Sequence, residues 1–559
     1  MPELSDKDEH ARRRRLRLAQ AAANEPVSEP VALVPDGLPD YAELHCLSNF
    51  SFQRGASHPW ELAVRAWSLG YRGLAITDEC SVAGVVRALS GLKEFIEDLD
   101  EKERRDPSLP KTPRNPDFRL LYGSEFVFER FTLVALARDL EGWGQLCELI
   151  TDARMAADKG HYHLPWDPVR LAALQRCELL VVPHRQPGAA IDSIAVCADV
   201  AGVAAIFHSN FEDAQEKVGR LWLAVELFNE LDDDLWLTAM REVGERTGVP
   251  LVAAGDVHMH VRSRKPLLDV VTAVREGRPV AECGFARRAN AERHLRSRLR
   301  LAQTYPPELL ANTMVVRSRC GFSLEELRAH YQYPLEVVGP NETPAQSLVR
   351  KTWLGALDRY PLSRYANGIP ERVCRQVQHE LDLIIELQYE MFFLTVDDVV
   401  SFARREGILC QGRGSSANSA VCYCLGITAI APDDGHLLFE RFLSRERREP
   451  PDIDVDFEHQ RREDVIQYIY EKYGRHRAAI AAVVISYRSR SAIRDVGKAL
   501  AIDERLIDAF AKDHYWFDDP ILDQRLEEAM QRAGVREGLH RLRLWIELTR
   551  TLKGFPRHL

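Results

Sequence analysis

The chain has 559 residues, of which 45% are hydrophobic, and its formal net charge is −10 at pH 7. At roughly 150 residues per domain, this length predicts three or four domains, each with a buried core. The net acidity argues against a uniformly basic nucleic-acid-binding protein, although it leaves room for local basic patches.

Membrane and secreted classes are excluded by the distribution of apolar residues and cysteines. No apolar run approaches the ~20 residues that a membrane-spanning helix needs. The basic segment "ARRRRLRLAQAAANEP" lacks the apolar stretch of a secretory signal. The 11 cysteines are scattered and show no CxxC spacing, so neither a disulfide framework nor a zinc knuckle is indicated. We therefore expect a cytoplasmic protein with no membrane association.

The first ordered region has the pattern of an α/β domain. Residues 1–40 are polar and contain prolines, which predicts a disordered extension. From residue 41 to about residue 268, short apolar strands alternate with helical segments, and four strands end on polar residues: Asp78, Glu125, His184 and Asp256. Active groups of α/β barrels lie at the C-terminal strand ends, so the pattern predicts a barrel-like metal site.

Further helices and loops follow from local signals. "HPWELAVRAWSLG" predicts a helix between the first two strands, with Pro59 near its start and Gly70 at its end. The charged, proline-containing segment 101–117 predicts a surface loop, and "VVGPNETPAQ" (337–346) predicts a linker between domains. Beyond the linker, "PERVCRQVQHELDLIIELQY" has apolar residues at helical spacing.

A glycine- and serine-rich turn, Gly412 to Ser416, lies between an apolar strand and an apolar helix in "ILCQGRGSSANSAVCYCLGIT". We call it the GS turn. Backbone amides freed by glycine, together with serine hydroxyls at a helix N-terminus, can bind phosphate oxygens, and Arg413 could supply the countercharge. The alternative is a turn without a ligand, and the Walker pattern is absent.

Three aspartates at alternate positions, Asp452, Asp454 and Asp456, follow in "PPDIDVDF". We call residues 452–457 the aspartate strand. In a β-strand these side chains project from one face while the intervening apolar residues pack behind them. Three carboxylates this close favour a divalent cation between them. The alternative is an exposed acidic edge strand.

Basic residues flank the aspartate strand on both sides. They are Arg441, Arg445, Arg447 and Arg448 before it, and Arg461, Arg462, Lys472, Arg475 and Arg477 after it. A solvated helix face would also be rich in arginine, but such flanks suit a site where a metal meets a polyanion. A phosphate-binding turn followed by spaced carboxylates is what two-metal nucleotidyl transfer requires.

These segments resemble the bacterial C-family DNA polymerases, the polymerase III α-subunits and their relatives. "QGRGSSANSAVCYCLGIT", "LLFERFLSRERREPPDIDVDFEHQRREDVIQYIYEKYGR" and "SAIRDVGKAL" resemble the palm and thumb of that family. The segment 41–79 resembles its polymerase-and-histidinol-phosphatase (PHP) domain, and "AELHCLSNFSF" with "TRTLKGFPRHL" is most similar to the error-prone, translesion branch.

The resemblance covers roughly residues 41–559 and implies an α/β multidomain fold. The implied parts are a PHP-type α/β barrel (41–268), a connecting region (269–345), a polymerase-β-like palm (346–485) and a helical thumb (486–559). The implied activity is DNA-directed DNA synthesis of the error-prone type on primer–template DNA and dNTPs, with Mg²⁺ as the palm cofactor. The implied partners are a sliding clamp and a Y-family-like accessory protein.

The same resemblance assigns roles to individual residues. Gly414 and Ser415 would contact the triphosphate of the incoming nucleotide, and Arg413 and Arg441 would touch phosphates. Asp452 and Asp454 would be the catalytic metal ligands. Because Asp456 projects from the same face, Asp454 and Asp456 remain the alternative working pair. In the family a third catalytic aspartate lies beyond the thumb, so we expect this chain to be an N-terminal portion that is inactive alone.

The PHP motifs depart from those of metal-loaded relatives. His45 is followed by Cys46 and Leu47, Arg54 stands where an aspartate would be, and Glu79 replaces a histidine. The remaining ligand types are His45, Asp78, Glu125, Asp256 and His258. We expect a structural domain without metal, in which Arg54 pairs with Asp78, Glu125 or Asp256. The alternative functions are a PHP-type phosphoesterase and a non-catalytic scaffold of a mutagenesis complex.

Overall fold

The structure, a computed structural model, describes residues 37–108, 111–185, 192–208, 220–329, 338, 340–431, 442–443, 451–512, 522–535 and 538–558. Its contacts divide the chain into two compact units. The first unit comprises Met1–Ala329 together with Val483–Leu559, and the second comprises His330–Ala482. No helix within the described ranges has both the length and the apolarity needed to span a bilayer.

The first unit contains a seven-stranded sheet whose strands follow one another in sequence order. They are β1 (Ala42–Glu43), β2 (Gly73–Ile76), β3 (Arg119–Val127), β4 (Phe131–Ala137), β5 (Cys177–Pro183), β6 (Leu221–Val225) and β7 (Leu251–Ala253). Strand β4 is antiparallel to both neighbours, and the other pairs are parallel. The antiparallel step arises because only three residues join β3 to β4, which suffices for a hairpin but not for a crossover.

The sheet curls so that its two ends approach each other. A parallel bridge joins Cys46 to Val257, just beyond β1 and β7. It is held by the Leu47 amide, which donates to the Val257 carbonyl at 2.8 Å, and by the Val257 amide, which donates to the His45 carbonyl at 2.9 Å. The predicted α/β character of this region is confirmed, and the curled sheet brings the C-terminal ends of distant strands together.

Ten helices accompany this sheet in the described part of residues 37–329. They are α1 (Pro59–Ser68), α2 (Val85–Arg105), α3 (Leu140–Met155), α4 (Pro168–Leu171), α5 (Ser193–His208), α6 (Asp233–Thr247), α7 (Lys265–Glu276), α8 (Arg298–Thr304), α9 (Pro307–Arg319) and α10 (Glu326–Ala329). Short 3₁₀ turns occupy Arg262–Arg264, Val280–Glu282 and Gly284–Ala286.

Helix α1 confirms the first helix prediction, because Pro59 is its first residue and Gly70 lies just past its end with φ +71°. The prediction of a surface loop over residues 101–117 was wrong for its first five residues. Helix α2 continues to Arg105, where an Arg105–Glu101 ion pair one turn apart supports the last turn.

The second unit is built around three long helices and a two-stranded antiparallel sheet. Its elements are α11 (Pro344–Arg359), α12 (Glu371–Glu386), α13 (Glu390–Arg405), β8 (Cys410–Arg413), a 3₁₀ turn (Gly414–Asn418), α14 (Ala420–Cys424), β9 (Asp454–Phe457), a 3₁₀ turn (His459–Arg461) and α15 (Arg462–Tyr473). Helix α12 confirms the predicted helical segment. Helix α11 begins inside the predicted linker, where Thr343 and Gln346 cap each other reciprocally.

The last segment returns to the first unit. It contains β10 (Ile485–Ser486), α16 (Ser489–Ala499), α17 (Glu504–Lys512), α18 (Leu522–Ala533), α19 (Leu539–Leu552) and β11 (Pro556–His558). Apolar residues of α16, α17 and α19 share one core with α7, and the fully buried Trp545 donates its indole N–H to the Ile493 carbonyl at 3.0 Å. The regions predicted as connecting region and thumb thus include segments that pack within the barrel's unit, and their names stay predictions.

Candidate functional sites

The GS turn and the aspartate strand are held together by the pairing of β8 with β9. In this antiparallel ladder Arg413 lies opposite Asp454, and Gln411 lies opposite Asp456. Two residues that lie directly opposite each other on paired strands project from the same face of the sheet, and so does the residue two positions further along either strand. Arg413, which belongs to the GS turn, therefore shares one face with Asp454 and Asp456.

The predicted alternation along the aspartate strand is present. Asp452, Asp454 and Asp456 are exposed, whereas Ile453, Val455 and Phe457 are half-buried and pack against apolar residues of the same unit. The regular strand is shorter than the motif, since β9 begins at Asp454. Its partner β8 ends at Arg413, so Asp452 precedes the paired residues.

Arg413 makes an ion pair with the last aspartate of the strand. Its Nη2 donates to Asp456 Oδ1 at 2.9 Å, and its Nε contacts Asp456 Oδ2. Both side chains are largely exposed, so this pair contributes little to stability. It does compensate the Asp456 carboxylate, which would otherwise be available to a cation.

Gly414 brings the backbone of the GS turn against Asp454. Its φ of +67° lies in the left-handed region that favours glycine. A methyl group added to Gly414 would lie 3.4 Å from Asp454 Oδ2, so little more than the space of one methyl group separates the turn from this carboxylate. A ligand bound by the turn's amides would therefore lie close to this aspartate.

The serines near the turn differ in what they can offer a ligand. Ser416 is buried and donates its hydroxyl to the Arg413 carbonyl at 2.8 Å, and Ser419 donates its hydroxyl to Glu380 Oε2, also at 2.8 Å. Both hydroxyls are thus committed within the protein. The side chain of Ser415 and all of Arg441 lie outside the described residues, so their predicted phosphate contacts stay predictions.

The second group of predicted residues lies at the centre of the barrel. His45, Asp78 and Asp256 each follow a strand of the curled sheet, Glu125 lies inside β3 two residues before its end, and all four are buried together with His258. Curling explains why residues so distant in sequence share one centre. Asp78 faces elsewhere, because its two carboxylate oxygens accept hydrogen bonds from the amides and hydroxyls of Ser48 and Ser51.

His45 is bonded to a carboxylate through each ring nitrogen. Its Nε2 lies 2.6 Å from Glu125 Oε2, and its Nδ1 lies 2.8 Å from Glu226 Oε1. Burial alone would lower the pKa of His45, but the bonds to Glu125 and Glu226 outweigh it and raise the pKa to about 9. His45 is therefore a buried imidazolium between two carboxylates.

Arg54 occupies the same centre and contacts two acids. Its Nη1 contacts Glu125 Oε1 and lies 2.5 Å from Glu79 Oε2. Burial would raise the pKa of Glu125, but the Arg54 guanidinium and His45 outweigh it and hold the pKa at about 2. Of the three acids predicted as partners of Arg54, the structure selects Glu125, and it adds Glu79.

Asp256 lies on the opposite side of the group in a strained backbone conformation. Its φ is +39°, which is unfavourable for a residue other than glycine. Asp256 Oδ1 lies 2.8 Å from His258 Nε2, while Oδ2 contacts Arg293 and lies 3.9 Å from Arg288. Burial and the positive charge of Arg288 lower the pKa of His258 well below its usual range.

The barrel centre offers one group of possible metal ligands among the described residues. Donor atoms of His45, Glu125 and Asp256 lie within 4.8 Å of one another. However, both nitrogens of His45 are bonded to carboxylates, and guanidinium groups contact Glu125 and Asp256. Because a metal centre needs these donors free, the residues present do not fit a two- or three-metal site.

Comparison with known proteins shows two family matches. Residues 43–226 match the PHP domain, and residues 346–559 match the family described as the bacterial DNA polymerase III alpha NTPase domain. The error-prone DNA polymerase of Bordetella parapertussis is 49% identical over 530 residues, which are 93% of this chain and 47% of that protein. The error-prone DNA polymerase of Azoarcus sp. (strain BH72) is 50% identical over 530 residues, with the same two coverages.

Over 93% of its length the chain resembles the error-prone branch of the bacterial C-family DNA polymerases, and it matches both the PHP domain and the polymerase III alpha domain. It spans about half the length of the curated relatives it matches. A solved structure, a putative metal-dependent phosphoesterase from Bifidobacterium adolescentis, is 16% identical and covers 39% of this chain and 89% of its own, with a TM-score of 0.24. At that TM-score the likeness bears on neither the fold nor the function.

Several residues at these sites were not predicted from the sequence. Glu226 follows β6 directly, so the strand-end rule that found Glu125 would also have found Glu226. Arg288 and Arg293 follow the sheet in a region without regular pattern, and their contacts with Asp256 leave no local signal. Glu380 lies inside a helix, about forty residues before Ser419, which it contacts just after the GS turn.

Proposed function

We propose that this chain carries the nucleotide and metal site of an error-prone, DNA-directed DNA polymerase that extends primer–template DNA with dNTPs. The observation that supports this function most is the β8–β9 pairing, which sets Arg413 opposite Asp454 and the GS turn beside it. Nucleotidyl transfer needs carboxylates for divalent ions next to amides and cations for a triphosphate. Both kinds of group occur here on neighbouring segments.

In this proposal Asp452 and Asp454 hold Mg²⁺, with Asp454 and Asp456 as the alternative pair. When bound, Mg²⁺ activates the attacking 3′-hydroxyl and stabilises the leaving pyrophosphate. The chain's own residues do the positioning: Gly414 and Ser415 bind the triphosphate, and Arg413 and Arg441 compensate its charge. Nucleotide binding would draw Arg413 from Asp456 to a phosphate and leave that carboxylate available to a cation.

The test is binding of dATP to the purified chain by calorimetry, with and without Mg²⁺. We expect Mg²⁺-dependent binding that weakens about tenfold or more in Asp454→Asn, since a charge-assisted contact is worth about 1.5–3 kcal/mol. The matched control is Glu371→Gln, an acid on α12 whose side chain is 87% exposed. If Asp454→Asn and the control bind dATP with equal affinity, the aspartate strand is not part of the nucleotide site.

We also propose that the barrel centre is structural and holds no metal. The Arg54–Glu125 and Arg293–Asp256 ion pairs support this role, because they supply the positive charge that metal ions would bring. Purified protein should contain less than one equivalent of zinc, manganese or iron at this centre and should not hydrolyse a model phosphodiester. Stoichiometric metal, with hydrolysis lost in His258→Ala, would instead support the phosphoesterase alternative.

The proposed partners are a sliding clamp and a Y-family-like accessory protein in the cytoplasm. Family membership alone supports them, and the described residues show no clamp-binding feature that we could assign. Surface plasmon resonance with a purified bacterial clamp tests the interaction directly. Tight clamp binding without any Mg²⁺-dependent dATP binding would favour the scaffold alternative.

A further inference from the structure

Glu380 is a fully buried carboxylate that meets the chain just after the GS turn. It projects from the middle of α12, and its side chain is 0% exposed. Its Oε1 accepts from the Ala420 amide at 3.0 Å, and its Oε2 accepts from the Val421 amide at 3.0 Å and from the Ser419 hydroxyl at 2.8 Å. Three consecutive residues shortly after the GS turn, Ser419 to Val421, are therefore bonded to one side chain.

Two arginines bind the other end of the same segment. Arg359, at the end of α11, donates to the carbonyls of Tyr423 and Thr428 at 3.1 Å each. Arg404, near the end of α13, contacts the Gly426 carbonyl. The guanidinium of Arg359 also lies 4.5 Å from the centre of the Tyr423 ring. Side chains from three long helices thus hold helix α14 at both ends.

The signs of these charges match the polarity of α14. A helix carries partial positive charge at its N-terminus and partial negative charge at its C-terminus. Glu380 lies at the first end, and Arg359 and Arg404 lie at the second. With only five residues, α14 could not persist in water without such partners. The three side chains therefore determine where this helix lies.

Burying a carboxylate is costly, so its presence calls for a reason beyond stability. Burial raises the pKa of Glu380, and the bonds from Val421, Ala420 and Ser419 offset that rise only in part. An apolar side chain would avoid that cost, but it would leave the amides of Ala420 and Val421 without an acceptor. What the carboxylate adds is direction, because its two oxygens accept from Ser419, Ala420 and Val421 as well as from the Gln376 side chain of its own helix.

We infer that Glu380 is a positioning residue that holds the GS turn in its nucleotide-binding conformation. This inference rests on the proposed function, because it is the turn's proposed contact with the triphosphate that gives its position a purpose. Ser419 connects the two, since its amide also donates to the Ser416 carbonyl at 3.2 Å inside the turn. The amides of Ala420 and Val421 are occupied by Glu380, so the triphosphate contacts fall to residues 413–416.

Hydrogen exchange measured by mass spectrometry on the whole chain tests the positioning directly. The variants are Glu380→Gln, which keeps the size and loses the charge, and Glu380→Asp, which keeps the charge and shortens the reach. Glu371→Gln is the control on the same helix. We expect peptides that cover residues 410–424 to exchange about tenfold faster in Glu380→Gln, the loss of roughly one hydrogen bond to a charged acceptor. Peptides from α16 and α19 should be unchanged.

Binding of dATP with Mg²⁺ to the same variants separates positioning from a merely structural role. We expect dATP affinity to fall about tenfold in Glu380→Gln and less in Glu380→Asp, while Mn²⁺ affinity at the aspartate strand stays within twofold of the wild type. Unchanged exchange over 410–424 would overturn the inference, and so would faster exchange with unchanged dATP affinity. Global unfolding of both variants would also overturn it.

Failure of the wild-type chain to bind dATP is a distinct result. It would contradict the proposed function, and with it the nucleotide purpose assigned to Glu380. The exchange data would then still decide whether Glu380 orders residues 410–424.

Discussion

The guanidinium of Arg54 contacts the carboxylate of Glu125 at the centre of the barrel, where the Glu125 side chain is only 1% exposed. Two segments that are far apart in sequence thus meet as a buried ion pair. The same carboxylate also contacts His45, so three charged groups depend on one another. Removal of any one of them leaves the others buried without full compensation.

Arg54→Ala should destabilise the first unit by about 3–5 kcal/mol, because it leaves the Glu125 carboxylate buried beside fewer positive charges. Urea unfolding followed by circular dichroism measures the loss. The double variant Arg54→Met with Glu125→Gln should recover part of it, since both charges are then gone. The control is Arg105→Ala, which breaks an exposed ion pair on α2 and should lower the free energy of unfolding by less than about 1 kcal/mol. Equal losses in the two arginine variants would contradict the account.

His58 should make the first unit less stable in mild acid. Burial lowers its pKa to about 4, against the opposing influence of Glu61, and its Nδ1 lies 2.8 Å from Asn49 Nδ2. The unfolded chain, with a histidine pKa near 6.5, binds the proton more readily, so stability is complete above about pH 6.5 and is lost as pH falls toward 4. The loss from this residue is at most about 3 kcal/mol.

The measurement is the urea midpoint at pH 7 and at pH 5. His58→Gln should reduce the difference between the two midpoints. The buried His258 and the half-buried His260, whose pKa values are also lowered, should retain the remainder. A variant with the full wild-type pH dependence would show that His58 does not contribute.

Gly414→Ala should impair nucleotide binding beyond its effect on stability. The φ of +67° costs an alanine about 1 kcal/mol, and its methyl group would meet Asp454 Oδ2. Gly407 is a matched control, because its φ is also +67° and no atom lies within 4 Å of the added methyl group. Both variants should lose similar stability in urea. Only Gly414→Ala should weaken Mg²⁺-dependent dATP binding, and equal weakening in both would contradict the proposed site.

Arg413→Ala should change metal and nucleotide affinity in opposite directions. Removing the guanidinium frees Asp456, so Mn²⁺ should bind more tightly, whereas dATP loses a countercharge and should bind more weakly. Stability should change by less than about 1 kcal/mol, since both partners are more than half exposed. Calorimetric titrations with Mn²⁺ alone and with dATP and Mg²⁺ measure the two effects. A parallel change in both affinities would contradict the assignment.

The sequence predicts those parts of the fold that depend on local signals. The alternation of aspartates and apolar residues correctly predicted which side of the aspartate strand faces solvent. Pro59 and Gly70 predicted the bounds of α1 to within about two residues. The strand-end rule found Glu125 and Asp256, which share one centre of the curled sheet, whereas His45 was predicted from the resemblance to the PHP domain.

Long-range contacts are what local signals miss. The rule also included Asp78, whose carboxylate is instead taken up by Ser48 and Ser51 from the loop after β1. No periodicity indicates that Glu380 reaches Ser419, because the contact depends on how α12 packs in three dimensions. The length of the aspartate motif also overestimated the length of β9, because the length of a strand depends on its partner strand as well as on its own sequence.

Mn²⁺ titration followed by electron paramagnetic resonance tests the central claim most directly, because it reads the aspartate strand without nucleotide or DNA. The account predicts that Asp454→Asn abolishes Mn²⁺ binding in a chain that still unfolds cooperatively. One of Asp452→Asn and Asp456→Asn should bind nearly as well as the wild type, which identifies the working pair. Glu371→Gln should bind normally. Unchanged Mn²⁺ binding in Asp454→Asn would contradict the claim that the aspartate strand is the metal site.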